Sequence, residues 1–214
     1  MPASKVVDLR NYLAERYPQS FTPTSNRFRT GVGPLDEVTG GLPRGAITEL
    51  TSPRLSAGSA LLISTLLHTA HQEGHFMALV DGRDSFDPQP LGNLRLRHLL
   101  WIRCRQPLEA VKATDLLLRD GNFPLIILDL VLNAENELRK IPNTTWYRLQ
   151  RLVESGPAAF LVLTRRSMIS SAQLKLVLLN EWNLRDLGKD HAPLRLTIQV
   201  ERAHGGKGLL MGAG

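Results

Sequence analysis

The sequence is poor in cysteine: Cys104 is the single one among 214 residues. That excludes a disulfide framework and a cysteine-based metal cluster, and it suits a reducing compartment. Aromatic residues are also sparse at 6%, and Trp101, Trp146 and Trp182 each stand in an apolar segment, so they read as packing residues rather than a base-stacking platform. No apolar run approaches the ~20 residues of a membrane span. The first residues lack a basic segment followed by an apolar signal core. A cytoplasmic protein with no membrane contact is therefore expected. Internal repeats and low-complexity tracts are missing too, which argues against a solenoid or a disordered chain.

What the sequence has is an ordinary globular balance, 43% hydrophobic and 21% charged residues, enough for one substantial core. Lysine and arginine number 26 against 20 aspartate and glutamate, a net charge of +6. This charge suits a partner bearing phosphates or an acidic protein surface and says nothing about fold.

Residues 1–33 divide from the rest by pattern. Ser4–Tyr17 has Val6, Leu9, Leu13 and Tyr17 at helical spacing with Pro18 as a stop, predicting a small amphipathic helix. Its apolar face could pack on its own core or on a second copy of the chain. Gln19–Gly33 shows no period and reads as a connector. Residues 34–214 form the expected core domain, with a short basic C-terminal tail. Short apolar runs there alternate with helical segments, the mark of a mostly parallel sheet flanked by helices, an α/β fold. Strands are expected at Ala46–Thr51, Phe76–Asp81, Leu99–Arg103, Leu125–Leu130, Phe160–Thr164 and Leu194–Val200. Helices are expected at Ala57–His71, Leu108–Arg119 and Thr144–Glu154. Gln173–Leu187 carries both periods and is left open between helix and strand.

A strand leading through a loop into a helix, as at Ile47–Ala60, is where phosphate-binding loops occur. A working loop reads GxxxxGK[ST]: its glycines admit the phosphates, its lysine reaches the β and γ oxygens, and its hydroxyl holds magnesium. Here Ser52 stands for the first glycine, Pro53 follows it, and Gly58 serves as the second with one extra residue between. Ser59 replaces the lysine and Ala60 the magnesium-binding hydroxyl. Phosphoryl transfer depends on that charge neutralisation, so neither ATP nor magnesium is an expected cofactor. Backbone amides and the dipole at the helix start leave weak nucleotide or anion binding open. Pro124–Asp129 has the form of a strand ending in a magnesium-facing carboxylate, but Asp129 is equally suited to capping a turn. His68, His71 and His75 lie near one helix end without a carboxylate or cysteine to complete a zinc set, and no metal site is expected.

The segments Gly40–Glu49, Pro53 with Gly58, and Ala78–Pro88 together resemble the RecA recombinase family in order and spacing, over about Gly31 to His204. The resemblance implies a RecA-like core. It also places Arg83 where the family has its catalytic glutamate and Arg165 near its glutamine switch, so the resemblance itself implies that the ATPase residues are lost. Within that superfamily, Asp81–Pro88, Pro107–Arg119 and Val200–Gly206 are similar to ImuA, an accessory factor of bacterial error-prone DNA synthesis. That likeness implies partners of two kinds, an ImuB-like Y-family polymerase homologue and a DnaE-type polymerase. It also implies a bacterial, nucleoid-associated role in SOS-type damage tolerance. Arg165 and Arg166 stand where the family's loop touches single-stranded DNA, and Arg202 and Lys207 bracket a glycine pair in the tail. All four are candidates for DNA or partner contact. Two other readings remain: a divergent DNA-dependent ATPase, and a SulA-like cell-division inhibitor, although SulA lacks the GGLPRG and DSFDP segments present here.

Overall fold

The computed structural model describes residues 25–55, 57–182 and 196–203. The expected helix Ser4–Tyr17 and the tail residue Lys207 lie outside the described residues.

Nine strands and six helices follow in order among the described residues: β1 Arg27–Phe28, α1 Gly33–Thr39, β2 Leu42–Pro43, β3 Ala46–Thr51, α2 Ser59–Gln72, β4 Met77–Asp81, α3 Gly92–Leu96, β5 Leu99–Arg103, α4 Pro107–Asp120, β6 Leu125–Asp129, α5 Glu135–Leu138, α6 Asn143–Glu154, β7 Ala159–Thr164, β8 Leu174–Leu178 and β9 Ile198–Ala203. β1 and β2 pair as a small antiparallel ribbon. The other seven strands form one sheet in the order β5-β4-β6-β7-β3-β8-β9, parallel throughout except for β9 against β8.

The sequence pattern explains the layering. β3, β4 and β7 are buried at every residue, as strands with helices on both faces must be. Alternate residues then sort to opposite faces. Leu50, Leu79, Ile127 and Leu161 meet Leu62, Leu66 and Ala70 of α2 in one apolar cluster. Ile47, Val80, Ile126 and Phe160 meet Val111 and Leu118 of α4 and Trp146 and Leu149 of α6 in the other. The helix ends are also written locally. α4 starts at Pro107 behind a reciprocal cap, in which the Glu109 carboxylate accepts from the Gln106 N–H, and it ends at left-handed Gly121, φ 72°.

Two expectations need correction, and one open reading is decided. Where it is described, the connector drawn over Gln19–Gly33 is structured: Phe28 and Val32 are buried in the α2-side core, and the Thr30 and Gly31 N–H groups donate to the Asp36 carboxylate. α1 was signalled only by Pro34 in its first turn and Gly40 after its last. Gln173–Leu187 yields a strand at Leu174–Leu178, because β3 offers an open pairing edge there, which no local period reveals. The last strand runs to Ala203 rather than stopping at Val200, so Arg202 lies within a strand, opposite Lys175, and not in a tail.

Candidate functional site

Because β3, β4, β6 and β7 run parallel, the loops that leave them gather at one edge of the sheet, where α/β folds place their ligands.

The loop after β3 begins at Ser52, fully buried, whose N–H donates to the Thr164 carbonyl at 2.7 Å. It ends at Gly58, which holds a left-handed φ of 99° and precedes α2 without a side-chain cap. A Cβ built on Gly58 would stand 3.0 Å from both Trp182 Nε1 and Leu196 Cδ2. The approach at this glycine is thus occupied by the chain's own apolar side chains. Arg54 in the same loop pairs with Glu181, the residue next to that tryptophan. Ser59 and Ala60 open α2, so the helix start carries a hydroxyl at its first residue and a methyl group at its second.

The carboxylates at this edge are used locally. Asp81, buried at the end of β4, accepts from the backbone N–H groups of Arg83, Ser85 and Phe86 and from the Trp101 indole. The DGRDSFDP segment is folded around it. Gly82 is required there because a Cβ would lie 2.4 Å from Asn133 Oδ1 and 2.8 Å from the Asp129 carbonyl. Arg103 clamps Asp84 with both Nε and Nη2 and lies over the Trp101 ring. The Arg83 side chain turns to Glu137 and the Arg105 carbonyl. Asp129, half-buried at the end of β6, accepts the Val131 N–H at 3.0 Å. Burial, with the neighbouring Asp81 charge adding to it, pushes its carboxyl up to about 6.

The loop after β7 is built the other way, fixed from below and open above. Glu49, fully buried on β3, accepts from the N–H groups of Met168 and Ile169 and from the Ser167 hydroxyl, and pairs with Lys175 at 3.0 Å. Lys175 also donates to Ser167. With Ile169 and Ala172 packed into the core, Arg165 and Arg166 stand exposed at the loop's start. They border a cleft of about 760 Å³ enclosed by this loop, by Pro53 and Leu55 after β3, and by the Val131–Ile141 segment after β6.

The sequence candidates therefore divide. Pro53, Arg165 and Arg166 meet at the cleft. Ser52, Gly58, Ser59 and Ala60 form the loop beside it, and Asp129 ends the strand next to β7. Arg202 lies outside the cleft lining on β9. Sequence reasoning missed two residues that shape the edge, Glu49 and Lys175, and it missed the position of a third, Trp182, against Gly58. A glutamate in the middle of the expected strand Ala46–Thr51 was the available signal for the first. The others depend on long-range packing. Among the described residues no cluster of three His, Cys, Asp or Glu is placed to hold a metal, and no helix is long and apolar enough to cross a membrane.

Comparison with known proteins bears on the same core. Protein RecA of Wigglesworthia glossinidia brevipalpis is 36% identical over 98 residues, 44% of this chain and 28% of that protein. The core is RecA-like. Protein RecA of Rhizobium leguminosarum bv. viciae is 34% identical over 95 residues, 43% of the chain and 26% of that protein, and that of Chlorobium chlorochromatii is 32% identical over 94 residues. The chain thus matches about a quarter of the length of these relatives, 26–28%. No protein-family model matches the chain.

Proposed function

We propose that this RecA-like core is a non-hydrolysing accessory protein of damage-tolerant, error-prone DNA synthesis that acts by binding. Its partners in this reading are an ImuB-like Y-family polymerase homologue and a DnaE-type polymerase, with single-stranded DNA as a further ligand outside the cleft that Arg165 and Arg166 border. The observation that carries the reading is the loop after β3. By the resemblance Ser59 and Ala60 fall where the family has its lysine and hydroxyl, and Trp182 and Leu196 lie against Gly58. A loop so composed and so covered lacks the preorganised charge on which phosphoryl transfer relies. The partner assignment is supported by the resemblance in Asp81–Pro88 and Pro107–Arg119.

Phosphate release from magnesium ATP, with and without single-stranded DNA, tests the non-hydrolysing part, and release at background is expected. Turnover that Asp129→Ala abolishes would establish the divergent ATPase instead. Co-purification with a Y-family polymerase homologue is the expected partner result. Recovery of cell-division proteins and no polymerase component would favour the SulA-like alternative.

A further inference from the structure

The cleft at the carboxyl edge combines two features. Its mouth carries Leu55 and Leu132, 59% and 48% exposed, from two different loops, above buried Leu138 and Ile141. Among the described residues its rim carries three guanidinium groups, Arg139, Arg165 and Arg166, against the single carboxylate of Glu135. Arg139 donates to Glu135 at 2.6 Å and Arg166 lies 3.5 Å from the same oxygen. That bond, with the positive charge of Arg166 and Arg165 added, holds the Glu135 carboxyl below the usual carboxylate range. The rim therefore has more positive charge than its own acid can neutralise. An apolar floor under such a rim matches a ligand with apolar anchors flanked by negative charge.

We infer that this cleft is the docking site for an acidic, amphipathic peptide segment of a protein partner, with apolar anchors seated over Leu55 and Leu132 and its carboxylates on Arg139, Arg165 and Arg166. This deepens the binding role proposed above and rests on it. Charge favours either a nucleic acid or an acidic peptide, and the lining decides between them. Among the described residues no aromatic ring lines the cleft to stack a base, whereas its exposed leucines suit side-chain anchors. The volume, about 760 Å³, is in the ordinary range for a site that takes a few buried side chains.

The test uses the full chain and three fluorescent probes: a short peptide with leucines at helical spacing and glutamates between them, its lysine-for-glutamate counterpart, and a single-stranded oligonucleotide. The acidic peptide is expected to bind, the basic one not. Arg165→Glu with Arg166→Glu should weaken the acidic peptide by about tenfold or more, and Leu132→Ser by a smaller factor. Both sites are exposed, and an unchanged melting temperature of each variant excludes misfolding. Failure of the acidic peptide to bind overturns the inference. So does oligonucleotide binding that displaces it and falls steeply with salt, since the cleft is then a nucleic-acid site. Phosphate release measured on the same preparation reports separately on the non-hydrolysing reading. ATP turnover would sink that reading and leave the peptide result to stand or fall by its own measurement.

Discussion

Two loops leave neighbouring parallel strands at the same edge of the sheet and do opposite things. The loop after β3 is closed from above, with Trp182 and Leu196 against Gly58 and Arg54 paired to Glu181. The loop after β7 is tied from below, through Glu49 and Lys175, and leaves Arg165 and Arg166 exposed. β3 contributes to both, since Glu49 anchors one loop and Ser52 starts the other. The contrast separates two properties that a RecA-like edge can hold: a cradle for phosphates and a surface for a macromolecule. Here the chain's own Trp182 and Leu196 lie against the glycine of the first loop, and Arg165 and Arg166 of the second are exposed.

The largest effect should come from the anchor. Glu49→Ala removes the acceptor for two backbone N–H groups and a hydroxyl and leaves Lys175, 13% exposed at its side chain, without its carboxylate. Breaking a buried pair on one side costs about 3–5 kcal/mol, readable as a lower urea midpoint. Glu49→Leu combined with Lys175→Met should recover part of that loss while the acidic peptide still binds weakly, because packing can replace the pair's stability but not its hold on the loop. A drop below about 1 kcal/mol for Glu49→Ala would mean that the loop after β7 is held by packing alone, and the contrast would fail.

The closed loop is tested at its glycine. Gly58→Ala forces a side chain into a left-handed conformation and sets a Cβ 3.0 Å from Trp182 and Leu196, at a cost of about 1–3 kcal/mol. A melting temperature equal to that of the wild type would show that the tryptophan is not seated there. Adding Trp182→Ala should relieve the contact but not the backbone strain, so the pair of substitutions separates the two contributions.

Asp129 gives a pH-dependent test of the same side. Its folded pKa of about 6 lies above the unfolded value of about 3.9, so the folded state holds the proton more tightly between those limits. Stability therefore falls as pH rises from about 4 to about 6, and the loss is complete above that window. Asp129→Asn keeps an acceptor for the Val131 N–H and removes the buried charge. The variant should be more stable than the wild type by about 1–2 kcal/mol at neutral pH, allowing for the residue's partial exposure, with the gap closing toward pH 4. Parallel urea midpoints across that range would refute a raised carboxyl at this strand end.

These residues also show what was legible beforehand. The strands β3 and β5 and the body of α2, α4 and α6 were readable because short strand-like runs alternate there with segments of helical period. Ser59 and Ala60 could be singled out because the motif fixes where a lysine and a hydroxyl would stand. The cleft was not readable, since it is assembled from Leu55, Leu132 and Arg165 on three loops. Trp182 was taken as a packing residue, as it is, but its partner Gly58 lies more than a hundred positions away in sequence, and only the sheet order brings them together. Glu49 stood in view in the middle of the expected strand Ala46–Thr51, yet its role depends on a loop that follows another strand.

The smallest effect concerns the rim. Arg139 and Glu135 sit four residues apart and form an exposed pair, and such pairs contribute little to stability because water screens them. Arg139→Ala should therefore leave the melting temperature within error of the wild type. In the cleft the same substitution releases Glu135 from one of its two guanidinium partners and lowers the positive charge of the rim. The acidic peptide should then bind about two- to threefold more weakly, with most of the change in the association rate and its salt dependence, as expected for a rim charge. Glu135→Gln should act in the opposite sense, freeing Arg139 and Arg166 and tightening the peptide. If both substitutions weaken it, Glu135 positions the arginines rather than competes for them, and the presented loop is an ordered surface whose own carboxylate is part of the fit.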